Sequence, residues 1–287
     1  MKIDKNWSDY RLLATGSGEK LEKFGPVTVI RPDPQVIWEP YSPLRKKPHD
    51  AVYERSAAGG GCWEKKKSLP ESFFLHWKNL TFELKLMGFK HVGIFPEQAV
   101  NWSRMIECIQ NAGREINVLN LFGYTGGATV ACASAGAKVC HVDAAKAMCE
   151  TAKRNVEHSG VDRTLTRFIV DDCIKFVERE IRRGKKYDAI VMDPPSYGRG
   201  PKGETWKLEE GIFDLVKLTK SVLSDDPLFF LINSYTTGLQ PTVMKNVSDI
   251  VFCDLPHDTD ADEIGILGED GLTLPCGCSA FTTFQKG

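Results

Sequence analysis

From Pro96 onward the chain alternates short apolar runs with longer segments of helical spacing, and this alternation limits the possible folds more than any other feature. Gln98 to Asn111 carries Trp102, Met105, Ile106 and Ile109 near helical spacing. Next come a strand Ile116–Phe122, the loop Gly123-Tyr-Thr-Gly-Gly127 and a small-residue helix Ala128–Ala135. A strand Lys138–Val142 ends at Asp143, and a helix Lys146–His158 stops near Gly160. Strand Thr166–Val170 runs into Asp171-Asp172, helix Lys175–Arg183 follows, and strand Asp188–Met192 meets Asp193-Pro-Pro-Ser-Tyr197. After a Gly/Pro-rich loop over 198–203, Ile212, Leu215, Val216, Thr219, Val222 and Leu223 mark one helix face ahead of strand Leu228–Ile232. A last helix from Pro241 and two strands near Ile250–Leu255 and Leu272–Phe281 complete the pattern. Five strands alternating with helices require right-handed crossovers and predict a doubly wound α/β domain over 86–287, with a mostly parallel sheet and helices on both faces.

Residues 1–85 read differently, as a small β-rich domain. Phe24–Ile30 is a β-rich run broken by Pro32 and Pro34, and Val36-Ile37-Trp38 forms a second short run. Ala57-Ala-Gly-Gly-Gly61 predicts a turn or bulge, and Asn79 to Leu86 alternates with period two, as a half-buried strand does. The chain carries 37 Lys/Arg and 38 Asp/Glu, which excludes a uniformly basic nucleic-acid binder but not a basic face. Residues 1–115 hold 18 Lys/Arg against 14 Asp/Glu, and an acidic stretch follows Gln240. Any polyanion is therefore expected on the N-terminal half. No apolar run approaches the ~18 residues of a membrane span, and the start lacks the apolar core of a secretory signal. Nine scattered cysteines without a Cys-x-x-Cys pair fit reduced thiols in a cytoplasm.

Three features narrow the chemistry. The glycine loop follows a strand and opens a helix, so its backbone can approach a ligand, yet it lacks the Lys-Ser/Thr of a P-loop and the G-x-G-x-x-G spacing of dehydrogenases. Asp143 ends the next strand, where an acid can accept both ribose hydroxyls of an adenosine. Asp193-Pro194-Pro195-Ser196-Tyr197 lies at the carboxyl end of the fourth strand, where open α/β sheets place their active sites. Two prolines remove backbone donors and leave carbonyls and the Asp193 carboxylate to face a substrate donor, while Tyr197 offers a flat stacking face. The histidines form no metal constellation, and His91 and His141 read as ordinary polar or strand residues.

Asn117-Val-Leu-Asn-Leu-Phe-Gly-Tyr-Thr-Gly-Gly-Ala128, with Val142-Asp143, Ala152-x-x-Asn155 and Ser159-Gly160, resembles the large-subunit rRNA methyltransferases, class I enzymes dependent on S-adenosylmethionine. His91-Val-Gly-Ile-Phe-Pro-Glu-Gln98 is similar to the segment preceding the cofactor loop in that family, and Asp172-Cys-Ile-Lys-Phe176 to its adenine-edge strand end. The resemblance covers roughly Phe89 to Asn233 and implies a Rossmann-like domain, S-adenosylmethionine as cofactor, an RNA substrate and no metal. It implies cofactor contacts from Phe95, Gln98, Asn120, Phe122, Gly123, Thr125, Gly126, Asp143, Ala144, Asp172 and Asp193. Among these, Phe122, Gly123, Thr125 and Gly126 would line the methionine side, Asp143 would hold the ribose and Asp172 the adenine amine. Asp193, Pro194, Tyr197 and Asn233 would form the transfer point.

Two departures bear on mechanism. The PUA-type RNA-binding pattern of the known rRNA enzymes is not found in residues 1–85, so the N-terminal domain is a different candidate for substrate recognition. Methylation at cytosine C5 needs a cysteine nucleophile. Here Ser196 stands after the fourth strand and Asn233-Ser234-Tyr235 ends the fifth, while Cys276 and Cys278 are expected as buried residues of the last strand. Direct attack by an amine or hydroxyl is the expected chemistry. The competing readings are a small-molecule methyltransferase with the N-terminal domain as a lid, a non-catalytic cofactor-binding RNA partner, and a dehydrogenase.

Overall fold

The structure is a computed structural model and describes residues 1–56, 60–199 and 205–285. Ala57, Ala58 and Gly59 of the predicted glycine turn, and positions 200–203 of the Gly/Pro-rich loop, lie outside the described residues. In chain order the strands are β1 (Lys2–Ile3), β2 (Tyr10–Gly16), β3 (Glu19–Phe24), β4 (Val27–Pro32), β5 (Ala51–Arg55), β6 (Gly61–Lys65), β7 (Phe73–Trp77) and β8 (Leu80–Leu84). Then follow α1 (Ala99–Asn111), β9 (Asn117–Leu121), α2 (Gly127–Ser134), β10 (Lys138–Asp143), α3 (Lys146–His158), β11 (Thr166–Val170) and α4 (Cys173–Arg182). The remainder is β12 (Ala189–Met192), β13 (Tyr197–Arg199), β14 (Thr205–Lys207), α5 (Leu208–Lys220), β15 (Phe229–Ser234), α6 (Pro241–Val251), β16 (His257–Leu267) and β17 (Thr273–Phe284).

The chain divides into two compact units. One comprises Met1–Lys2, Asn101–Ile264 and the chain from Gly277 on; the other comprises Ile3–Val100 and Gly265–Cys276. The sequence places the division at residue 85 and assigns the whole tail to the larger unit. In the structure, hydrogen bonds hold the tip between β16 and β17 to β2. Glu269 N donates to Leu12 O at 2.8 Å, and Asp270 Oδ2 accepts from Thr15 N at 2.9 Å.

The first unit is built on the predicted doubly wound sheet, whose strands run β1-β16-β17-β15-β12-β9-β10-β11. The pairings of β10 with β11 and β9, and of β12 with β9 and β15, are parallel; β15 and β17 are antiparallel. Every residue of β12 and β15 is buried, which explains why both read as unbroken apolar runs rather than as alternating strands. Beneath them one core cluster joins Leu119, Ile190, Met192, Phe230 and Ile232 to Leu215 and Val216 of α5.

Two local expectations are corrected in this unit. The strand expected over Ile250–Leu255 is the end of α6 and a turn. Met244, Ser248 and Val251 form the buried helix face, while Ile250 is 61% exposed, so its β-branched preference yields to the helical packing of its neighbours. Helix α4 begins at Cys173 rather than Lys175, because Asp172 caps it, accepting from Lys175 N at 2.9 Å.

The second unit holds a five-stranded sheet in the order β2-β3-β4-β5-β6 and the hairpin β7–β8. The alternation over residues 79–86 appears as β8, whose outer and central residues are buried. Val36-Ile37-Trp38 is no strand. Its carbonyls at Val36 and Trp38 accept from Gly18 and Ser17, both at 2.7 Å, so the segment braces the β2–β3 turn. The flanking Pro34 and Pro40 keep it out of a ladder.

Candidate active site

The sheet reverses its order between β9 and β12: β10 and β11 lie to one side of β9, and β12 and β15 to the other. Open α/β sheets bind ligands beyond the carboxyl ends of the strands at this switch point. The glycine loop leaves β9 there, and Asp193-Pro194-Pro195 leaves β12 there. The registers Leu121↔Met192 and Met192↔Ile232 bring the loop, Asp193 and Asn233 off three adjacent strands at one level.

The loop is tightly folded. Phe122 and Tyr124 take left-handed backbone angles (φ 56° and 49°), as does Gly126 (φ 87°). Non-glycine residues adopt such angles rarely, and here they are held by specific bonds. Tyr124 N donates to Asp143 Oδ2 at 2.8 Å, Phe122 N to Cys173 Sγ at 3.3 Å, and Asn155 Nδ2 to Thr125 O at 2.8 Å. A Cβ on Gly123 would meet the His141 ring at 2.4 Å, and one on Gly127 would meet Trp102 at 2.6 Å. The loop therefore sits on β10 and α1 with no room for side chains on that side.

Beneath it lies a polar column. Asn120 Nδ2 donates to Thr129 Oγ1 at 2.9 Å, and Thr129 Oγ1 shares a 2.9 Å bond with His141 Nδ1. His141 is fully buried and its Nε2 finds no partner among the described residues. Burial pushes its imidazole down to about 4, so the ring is neutral at physiological pH. Burial likewise pushes the Cys173 thiol up to about 12, which leaves it a weak hydrogen-bonding group rather than a thiolate.

On the β10 and β11 side, two acids stand at consecutive strand ends. Asp143 is half-buried, and its Oδ1 also accepts from Ala145 N at 2.8 Å. Asp172 is exposed beyond β11, and Ala144 is exposed beside Asp143. Loop, ribose-height acid and outer acid suit an adenosine whose hydroxyls and amine need acceptors. On the other side Asp193 is half-buried, Pro194 buried, and Tyr197 53% exposed at the start of the β13–β14 ribbon. The ribbon was not foreseen in the sequence. Trp206 Nε1 donates to Pro195 O at 2.8 Å, and Thr236 Oγ1 to Ser196 Oγ at 2.7 Å, so Ser196 is engaged with the chain after β15.

Of the residues singled out in the sequence, Phe122, Gly123, Thr125, Gly126, Asp143, Asp193 and Asn233 converge on the switch point. Asn120 is 3% exposed and supports the loop from below. Phe95 and Gln98 belong to the other compact unit, in the turn leading into α1. Asn101, Thr129 and Ser279 escaped the sequence reading; buried polar residues inside apolar segments were the available signal. Cys278 is buried as expected and Cys276 only partly so. No group of three or more His, Cys, Asp or Glu side chains is arranged to hold a metal among the described residues.

A mostly parallel sheet with a glycine loop after its first strand and an Asp-Pro-Pro turn after its fourth matches a Rossmann-like methyltransferase. A family model described as S-adenosylmethionine-dependent methyltransferase matches residues 51–228, and the chain belongs to that family. It is similar to the crystal structure of the SAM dependent methyltransferase from Agrobacterium tumefaciens, at TM-score 0.91 and 33% identity over 99% of this chain and 93% of that one. Ribosomal RNA large subunit methyltransferase K of Neisseria meningitidis is 28% identical over 201 residues, 68% of this chain and 56% of the relative. Ribosomal RNA large subunit methyltransferase I of Klebsiella pneumoniae is 40% identical over 81 residues, 28% of this chain and 20% of the relative. The chain thus spans between about a fifth and just over half of these curated relatives.

Proposed function

We propose that the protein methylates RNA by direct transfer from S-adenosylmethionine to an amine or hydroxyl. The observation that carries this reading is that Asp193 and Asn233 directly follow the register partners Met192 and Ile232 on neighbouring strands at the switch point, with no cysteine at either position. S-adenosylmethionine supplies an electrophilic methyl group on a sulfonium. Asp143 accepts the ribose hydroxyls, Asp172 the adenine amine, and the backbone of Phe122 to Gly126 lines the methionine side. Asp193 and the carbonyls beside Pro194 hold the acceptor's proton and aim its lone pair, which is the positioning a direct displacement needs. Tyr197 stacks on the base.

RNA as substrate is supported by the names of the curated relatives and by the second unit. Lys46, Lys65 and Lys66 are exposed there, Lys47 is half-buried, and none makes an ion pair among the described residues. Lys66 N donates to Asp50 O at 2.9 Å, which brings residues near 50 against 65–67, so these lysines are the candidates for phosphate contact. The unit of Ile3–Val100 and Gly265–Cys276 is thus the substrate-recognition element. Nine unpaired cysteines suit a reducing cytoplasm, and no helix among the described residues is long and apolar enough to cross a membrane.

The discriminating experiment is Asp193→Ala. Methyl transfer to RNA should fall by about 100-fold or more, a larger loss than any fall in S-adenosylmethionine affinity by calorimetry. Retained transfer would remove Asp193 from the reaction.

A further inference from the structure

Asn233 is the penultimate residue of β15 and is 2% exposed. Two other buried side chains fix its carboxamide. Asn101, in the first turn of α1, donates from Nδ2 to Asn233 Oδ1 at 3.2 Å and to Ser279 Oγ at 2.8 Å. Ser279, the register partner of Asn233 on β17, donates from its hydroxyl to the same Oδ1 at 2.8 Å. Both lone pairs of that oxygen are therefore taken, and the hydroxyl of Ser279 has its direction set by the donor behind it. The amide nitrogen must then point away from the pair. Asn233 Nδ2 has no hydrogen-bond partner among the described residues, although nearly all of the residue is buried. The carboxamide nitrogen is thus left to donate to a ligand rather than to the protein.

We infer that Asn101 and Ser279 are positioning residues that act through Asn233, and that the donor they aim selects a nucleobase nitrogen over a ribose hydroxyl. The inference rests on reading Asp193 and Asn233 as the transfer site. Met192 and Ile232 are register partners, so Asp193 and Asn233 are the next residues along two neighbouring strands. A carboxylate acceptor beside a carboxamide donor complements a group that offers a donor and an acceptor side by side. An amine next to a ring nitrogen, or a ring N–H next to a carbonyl, has that pattern. A lone hydroxyl satisfies the carboxylate and leaves the carboxamide unmet.

The test is a mutant cycle on Ser279→Ala and Asn233→Ala, read as transfer of labelled methyl groups into total RNA and, separately, into a protein-free small-molecule extract. Ser279→Ala should lower kcat roughly three- to tenfold, with S-adenosylmethionine affinity unchanged. In the Asn233→Ala background the same substitution should cost nothing further, and Ser279→Thr, which keeps the hydroxyl, should restore turnover. Asn233→Asp, which turns the donor into an acceptor at constant size, should lower kcat at least as far as Asn233→Ala. An equal loss from Ser279→Ala in both backgrounds, or a parallel loss of cofactor affinity, would overturn the positioning role. A ribose-methylated product would overturn the selection of nitrogen. Label in the extract alone overturns the RNA reading while leaving the cycle readable; label in neither overturns both.

Discussion

The backbone amide of Tyr124 donates to Asp143 Oδ2 at 2.8 Å, tying the left-handed turn of the glycine loop to the acid that ends the neighbouring strand. The loop cannot relax without releasing that carboxylate, and the carboxylate cannot turn without losing the loop. The turn of the loop and the carboxylate proposed to hold the ribose are thus one unit.

Removing Asp143 should expose this coupling. Asp143→Ala loses two amide-to-carboxylate bonds, to Tyr124 and Ala145, and should weaken S-adenosylmethionine binding about 10- to 100-fold by calorimetry. Asp143→Asn keeps one acceptor and should fall between the two. Unchanged affinity in the alanine variant would take Asp143 out of the binding site.

The packing under the loop makes a second expectation. A methyl group on Gly123 would stand 2.4 Å from a fully buried ring, so Gly123→Ala should destabilise the fold by about 1–3 kcal/mol and displace the loop. Thermal melting and cofactor titration read both effects. A variant that melts and binds like the parent would mean that the ring has room to give.

His141 sets a pH dependence. Its folded pKa is about 4 against an unfolded value near 6.5, so the unfolded chain takes up a proton first. The stability this gives is fully present above about pH 6.5 and is lost as pH falls toward 4, amounting to about 3 kcal/mol across that window. Denaturant midpoints at pH 7 and pH 5, together with an NMR titration of the ring, would measure it. A ring that titrates near 6.5 in the folded protein contradicts the burial argument.

The basic surface of the second unit predicts a salt signature. Replacing Lys46, Lys47, Lys65 and Lys66 with alanine should weaken binding of single-stranded RNA and shallow the slope of log affinity against log salt by about 2 to 3. An unchanged slope would move the RNA contact elsewhere.

Much of the site was legible in the sequence because it is local. The loop Gly123–Gly127, Asp143, Asp172 and the Asp-Pro-Pro turn each sit where an apolar run ends, and strand ends are readable from periodicity. What the sequence hid depends on contacts between distant segments. Asn101 and Ser279 are 178 residues apart and meet only because β17 returns beside β15. Ile250 and the Val36–Trp38 run carry β-branched or aromatic residues, but helix packing in one case and flanking prolines in the other decide their conformation. The β16–β17 tip is likewise held by bonds to β2 that no local pattern announces.

The central claim is direct transfer to a heteroatom of RNA. The measurement that tests it most directly is nucleoside analysis of total RNA after incubation with labelled S-adenosylmethionine and either the parent protein or Asp193→Ala. A nucleoside methylated on nitrogen or oxygen is expected, present with the parent and lost with the variant. 5-Methylcytidine as the labelled product, or label confined to small molecules, would contradict it.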